Sequence, residues 1–365
     1  MIKILPLLCF SFIALQVNAQ GDSTLTGKGV DQDILDSLGM KNPEVIKKYN
    51  DGITQYTSKN YLGAVQAFTE CVLMDTVYIE AYYQRAQAFV MMEKPSEAIK
   101  DFSTTLRLDP TNADAAYQIG SLHMKSGDYE NAIKAFEKAE NIDVANEKYP
   151  YKRGIALFEL QNYEGAIDAY NEAIKRNPKF GNAYNDRGSC KLMQEDLDGA
   201  IADYKLAVQY DNKLSFAYNN LGSAYRKQEN YDAAIKYYNE AIKLKIDYYV
   251  AFNNRGSAKL MKGDIEGAIS DFNKAIEIKP DYAFAYNNLA GAFIKKEDYK
   301  SAVEACDKAI ELRPEYMEAY LNRGIAKEML KDVDGACADW EDAFILGSEN
   351  AASYVDGPAC QSLKK

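Results

Sequence analysis

Alanine stands at residues 64, 98, 132, 166, 200, 234, 268, 302 and 336, nine times in unbroken steps of 34. A second series, Ala81, Ala115, Ala183, Ala217, Ala251, Ala285 and Ala319, keeps the same step, with Tyr149 in the missing place. No single globular core imposes such a register. A period of this length is that of a helix–turn–helix unit, which cannot bury its apolar face alone and must stack on its neighbours. The expected fold is all-α, and the 365 residues then set a number of repeats rather than a number of domains.

We number each repeat so that the first alanine series is position 20 and the second is position 3. Position 16 is Asn60, Asp128, Asn162, Asp196, Asn230, Asp264, Asp298 and Asp332, with Lys94 the exception. Asn and Asp accept hydrogen bonds from unpaired backbone N–H groups, so position 16 is expected to cap a second helix, B, in each repeat. Small residues, Gly at position 8 and Ala at position 20, let a first helix, A, approach B closely.

Repeat 6 reads AYNNLGSAYRKQENYDAAIKYYNEAIKL. Its aromatic at position 4, Leu at 7, Gly at 8, Tyr at 11 and 17, Ala at 20, Tyr at 24 and Ala at 27 resemble the tetratricopeptide repeat (TPR). The helix-breaking proline of that family at position 32 is matched by Pro110, Pro178, Pro280 and Pro314. The resemblance covers residues 45–348, nine tandem repeats. It implies a right-handed TPR superhelical solenoid of helix–turn–helix repeats whose A helices line a concave groove.

At about 100° per residue, positions 3, 4, 7, 8, 10 and 11 share the packing side of helix A, and positions 2, 5, 6, 9, 12 and 13 the opposite side. Along repeats 5 to 9, positions 5, 6 and 9 hold Asn185, Asp186, Ser189, Asn219, Asn220, Ser223, Asn253, Asn254, Ser257, Asn287, Asn288, Gly291, Leu321, Asn322 and Ile325. None is Lys, Arg or Glu, although 27% of the chain is charged. An amide both donates and accepts, so these residues suit a peptide main chain of any sequence. Position 6 is similar to the asparagine ladder by which some TPR proteins hold an extended peptide, and the resemblance carries that role to Asn220, Asn254, Asn288 and Asn322. Asp186 breaks the pattern. The competing reading is that small polar residues only let neighbouring A helices crowd together. Positions 12 and 13 add Leu192, Met193, Arg226, Lys227, Leu260, Met261, Ile294, Lys295 and Met329, which suggest an acidic and apolar peptide as ligand. Lys148 and Lys152, one turn apart in repeat 4, resemble the cations of a TPR carboxylate clamp, but Tyr83 and Gln118 depart from it, and exposed lysines are the simpler reading.

Position 7 is Arg in Arg85, Arg153, Arg187, Arg255 and Arg323, and four of these have an aspartate sixteen residues on, Asp101, Asp203, Asp271 and Asp339. Where position 7 is Ile119, Leu221 or Leu289, position 23 is Ala135, Tyr237 or Ala305. The covariation predicts a buried ion pair between helices A and B. From repeat 5 the Arg and Leu types alternate. A pair copied four times is structural rather than catalytic. The single histidine, His123, falls on the packing face, so neither a metal site, a cofactor nor a catalytic residue is expected.

Residues 1–19 read as a signal peptide: Lys3, an apolar run, then Val17-Asn18-Ala19 as a cleavage pattern. Lipidation at Cys9 is disfavoured because Leu8 precedes it. Residues 20–44 read as a flexible lead-in with a possible short helix over Asp33–Leu38, and 349–365 as a capping segment. Five cysteines would remain, an odd number that is no disulfide framework. Cys71, Cys190 and Cys306 fall on core positions; the tail is expected to fold back on repeat 9, which would bring Cys360 to Cys337, and whether the two pair is left open. The net charge of −11 disfavours nucleic acid, and no second apolar run suggests membrane insertion. The expected function is an exported, periplasmic or secreted, non-catalytic scaffold binding a protein or extended peptide. A glycan-binding accessory role using groove tyrosines is the alternative. Oligomeric state is not legible.

Overall fold

The computed structural model describes residues 42–357, 360 and 361. The expected signal peptide, the short helix over Asp33–Leu38 and the lead-in as far as residue 41 lie outside the described residues. Among the described residues there are nineteen helices and no strand. They fall into two compact units, one ending at Thr104 and the other beginning at Thr105. The first holds Pro43–Thr57, Tyr61–Met74 and Ile79–Met91, with most of Pro95–Leu108. The second holds the A and B helices of repeats 3 to 9, from Ala113–Ser126 to Val333–Ile345, and then Glu349–Val355.

Each repeat starts its B helix as the sequence predicts. The position-16 side chain accepts from the backbone N–H three residues on in eight of the nine repeats; Asn230, for example, caps through Ala233. In the exception Pro95 follows Lys94 as the first helical residue, where a missing N–H costs nothing and a fixed φ helps. The residue before each cap is always left-handed. Glycine serves at Gly127 and Gly263, but Lys59, Glu93, Gln161, Glu195, Glu229, Glu297 and Lys331 hold φ between 56° and 69°. Side chains there cost about 1 kcal/mol, and the sharp A-to-B turn is what requires it.

The core is a stack of thin layers. All nine position-20 alanines are fully buried. A Cβ at Gly222 would lie 2.8 Å from the Tyr238 ring and 3.1 Å from the Ala234 carbonyl, so glycine at position 8 lets the position-24 ring of the same repeat lie against helix A. Repeat 8 changes both partners, to Ala290 and Cys306, and keeps both buried. Each buried aromatic of this series, such as Phe272, contributes about 2–3 kcal/mol.

The covarying pairs form. Arg187 and Asp203, Arg255 and Asp271, and Arg323 and Asp339 are each joined by two hydrogen bonds of 2.6–2.9 Å, as are Arg85 and Asp101 in the first unit. Each guanidinium also reaches position 25 of the preceding repeat, at Thr69, Asn171, Asn239 or Asp307, and lies over the position-4 ring of its own. In repeats 5, 7 and 9 a lysine, Lys191, Lys259 or Lys327, adds a second cation to the aspartate at 2.8 Å. Where the pair is absent in repeat 6, Tyr225 and Tyr237 stack instead, 5.4 Å between centroids. Arg153, which has no aspartate sixteen residues on, binds Glu140, which Arg176 also holds.

At the C-terminal end, Tyr354 of Glu349–Val355 stacks on Trp340 at 4.7 Å. The pairing that the sequence left open is formed: Cys337 and Cys360 are joined in a disulfide where the tail returns over the last repeat. Cys71, Cys190 and Cys306 form no disulfide and are buried, as expected. Burial in apolar surroundings pushes the Cys190 and Cys306 thiols up to about 12, which leaves them protonated and inert.

Candidate functional site

The asparagines form a ladder, but its rungs run from one repeat to the next. Asn220 Nδ2 donates to Asn185 Oδ1 at 3.1 Å, Asn254 to Asn219 at 3.0 Å, Asn288 to Asn253 at 2.9 Å and Asn322 to Asn287 at 2.9 Å. Each bond joins position 6 of one A helix to position 5 of the A helix before it. The position-5 residues Asn185, Asn219, Asn253 and Asn287 are only 3–8% exposed. A helical wheel drawn for one helix places them on its free side; the neighbouring A helix covers them. The position-6 residues are partly exposed. Each has committed one N–H to its rung, and no other hydrogen bond to Asn220, Asn254, Asn288 or Asn322 is present among the described residues. Their carbonyl oxygens are therefore available, on amides whose orientation the rung fixes.

Position 9 supports the same wall. Ser189 and Ser257 donate to the backbone carbonyls of Asn185 and Asn253. The position-24 hydroxyls of Tyr204 and Tyr238 reach Ser189 and Ser223 at 3.1 Å. This tyrosine–serine link was not anticipated from the sequence, although the recurrence of Tyr and Ser fifteen residues apart carried the signal.

The ladder begins with a different rung. Tyr151, at position 5 of repeat 4, donates its hydroxyl to Asp186 Oδ2 at 2.8 Å, and Asn185 Nδ2 donates to Oδ1 at 2.9 Å. Burial holds the Asp186 carboxyl above its usual range despite these two donors and the nearby Lys152 charge. A cavity of about 320 Å³ opens at this point, lined by Ile155, Phe158, Glu159, Tyr170, Asn185, Asp186, Ser189 and Asn220. Lys152 occupies the ladder position one repeat earlier and is partly buried, while Lys148 is exposed. Tyr117 and Tyr151 pack on ring neighbours, Phe136 and Tyr149 for the first and Tyr170 and Phe180 for the second.

Among the described residues no group of His, Cys, Asp and Glu could hold a metal ion, and no helix is long and apolar enough to cross a membrane. The wall offers amides, hydroxyls and one carboxylate, Asp186.

Family models described as Tetratricopeptide repeat match residues 83–148, 151–213, 215–248 and 283–316, and one described as TPR repeat matches 256–296. The chain belongs to the tetratricopeptide-repeat family. Solved TPR structures share the fold. A TPR protein from Parabacteroides merdae is 19% identical over 69% of this chain and 97% of its own, with a TM-score of 0.53. The C-terminal part of a TPR protein from Cytophaga hutchinsonii is 21% identical over 66% of this chain and 100% of its own, with a TM-score of 0.51. The Cut9–Hcn1 hetero-tetramer of the APC/C is 15% identical over 92% of this chain and 80% of the matched one, with a TM-score of 0.56. No curated protein matches the chain. These likenesses establish a TPR solenoid and leave its ligand to the wall itself.

Proposed function

We propose that this TPR protein is an exported, non-catalytic scaffold that holds an extended peptide segment of a partner protein along the A-helix face of repeats 5 to 9. One observation carries the reading: the position-6 amides are held by their rungs at a repeating interval, and each retains an uncommitted carbonyl oxygen. Such a row accepts from peptide N–H groups without regard to side chains, and pre-ordered groups lose little entropy on binding. The burial of the position-5 asparagines supports a role for them in fixing that row, with Asn220, Asn254, Asn288 and Asn322 as the ligand-facing residues of the proposal. The ring packing of Tyr117 and Tyr151 gives no support to a sugar platform, so the peptide reading is preferred to the glycan one. Lys148 and Lys152 stand at the edge of the face, where a partner's acidic groups would meet them.

Export rests on the pattern of residues 1–19 and on the Cys337–Cys360 disulfide, a bond that persists in oxidising compartments. Binding is tested on an immobilised array of randomised ten-residue peptides probed with the full mature chain and with N220A/N254A/N288A. The wild type should be retained, and the variant should lose about tenfold or more while keeping its helical signal. Equal retention of both proteins, or retention of neither, rejects the proposal. N-terminal sequencing of the protein from its host should begin at Gln20, and an intact Met1 would reject export.

A further inference from the structure

Among the described residues, the aspartates that are buried are each paired with an arginine. Asp101, Asp203, Asp271 and Asp339 each hold an arginine in two hydrogen bonds, and Glu140 holds two. Asp186 is half-buried, yet among the described residues no Lys or Arg lies within ion-pair distance of it; Lys152 acts on it only from farther off. Its two donors, the Tyr151 hydroxyl and the Asn185 amide, are neutral and leave it about two of its four acceptor sites. A second group is left over in the same place. In repeats 5 and 6 the position-24 tyrosine meets a serine at position 9, but in repeat 4 that position is Ile155. The Tyr170 side chain is 1% exposed, its hydroxyl has no hydrogen-bond partner among the described residues, and it lines the 320 Å³ cavity with Asp186.

We propose that this cavity receives a basic side chain, lysine or arginine, of the peptide bound along the face. The proposal rests on the peptide reading for the identity of the ligand, but the cavity makes its own chemical case. Ile155 and Phe158 offer apolar surface to an aliphatic stem, as long cationic side chains require. The half-buried Asp186 and the exposed Glu159 supply two carboxylates to the lining, and Tyr170, Ser189 and Asn220 supply neutral acceptors. An incoming cation would do for Asp186 what arginine does for the buried aspartates, through charge-assisted hydrogen bonds. The face then has one sequence-reading position at its N-terminal end, followed by rungs that read main chain.

The test uses Nα-acetyl-lysine methylamide, the arginine analogue and the norleucine analogue, each titrated into the full mature chain by saturation-transfer NMR. One cationic probe or both should bind about tenfold or more tightly than norleucine, and D186N should lose that advantage. Y170F, which keeps the ring, should weaken the cation by a smaller factor. Norleucine binding as well as both cations, no binding by any probe, or an unchanged D186N overturns the proposal. The peptide array separates the two readings: cation binding without peptide retention sinks the scaffold reading alone, and peptide retention without cation preference sinks the cavity alone.

Discussion

Arg255 and Asp271 face each other sixteen residues apart, Nε to Oδ2 at 2.8 Å and Nη2 to Oδ1 at 2.6 Å, with Lys259 Nζ a further 2.8 Å from the same carboxylate. Asp271 is 3% exposed. Removing it alone leaves two largely buried cations, 18% and 20% exposed, without their carboxylate, so D271A should cost up to about 3 kcal/mol. Repeat 8 shows the apolar solution to the same site, with Leu289, Phe293 and Ala305 at positions 7, 11 and 23. R255L/K259F/D271A should therefore recover most of the loss. Denaturant melts of the three proteins check this, and a triple variant as unstable as D271A would show that the pair does more than fill its site.

The left-handed residue before each B helix offers a second measurement. Glu229 has φ 61°, a conformation that costs a side chain about 1 kcal/mol and glycine little. E229G should raise stability by about that amount. A fall in the thermal midpoint would mean that Glu229 has a role its backbone does not reveal.

Asp186 sets a pH dependence. Burial raises its folded-state pKa above the unfolded value. The protonated form is then favoured by folding, so the stability linked to this group is complete below the unfolded pKa and is lost as pH rises through the folded one. The ligand-free D186N variant should be more stable than the wild type at pH 7, and the difference should shrink to nothing as pH falls below about 4. Paired urea melts across that range give the comparison, and an advantage that grows in acid would contradict the assignment.

The Cys337–Cys360 disulfide closes a segment of 23 residues, for which loop-closure entropy amounts to about 3 kcal/mol. Reduction, or C360S, should loosen the ninth repeat and Glu349–Val355 first, leaving repeats 5 and 6 protected, since repeats interact chiefly with their neighbours. Hydrogen exchange followed by peptide mapping resolves the two regions. Equal deprotection along the whole second unit would refute local action.

The 34-residue period, the position-16 caps and the Arg–Asp covariation came through intact because each depends on contacts inside one repeat or between a repeat and the next in a fixed register. Repetition makes such contacts readable: one chain supplies several versions of the same site, and residues that change together disclose that they touch. The asparagine wall was read only in part. Its residues and its lack of charge were evident, but the division of labour between positions 5 and 6 was not. A wheel describes a lone cylinder, and Asn219 is buried by a helix that begins thirty residues later.

What the sequence determined alone was therefore everything periodic: the helices, their caps, the alternation of paired and apolar layers, and the choice of amides for one face. Only the tertiary structure decided which amides are spent on neighbouring repeats, that Tyr170 and Asp186 are left facing one cavity, and that Cys360 joins Cys337 where the tail folds back. Those outcomes depend on how far one helix overhangs the next and where a chain end comes to rest, distances in space that no spacing along the chain encodes.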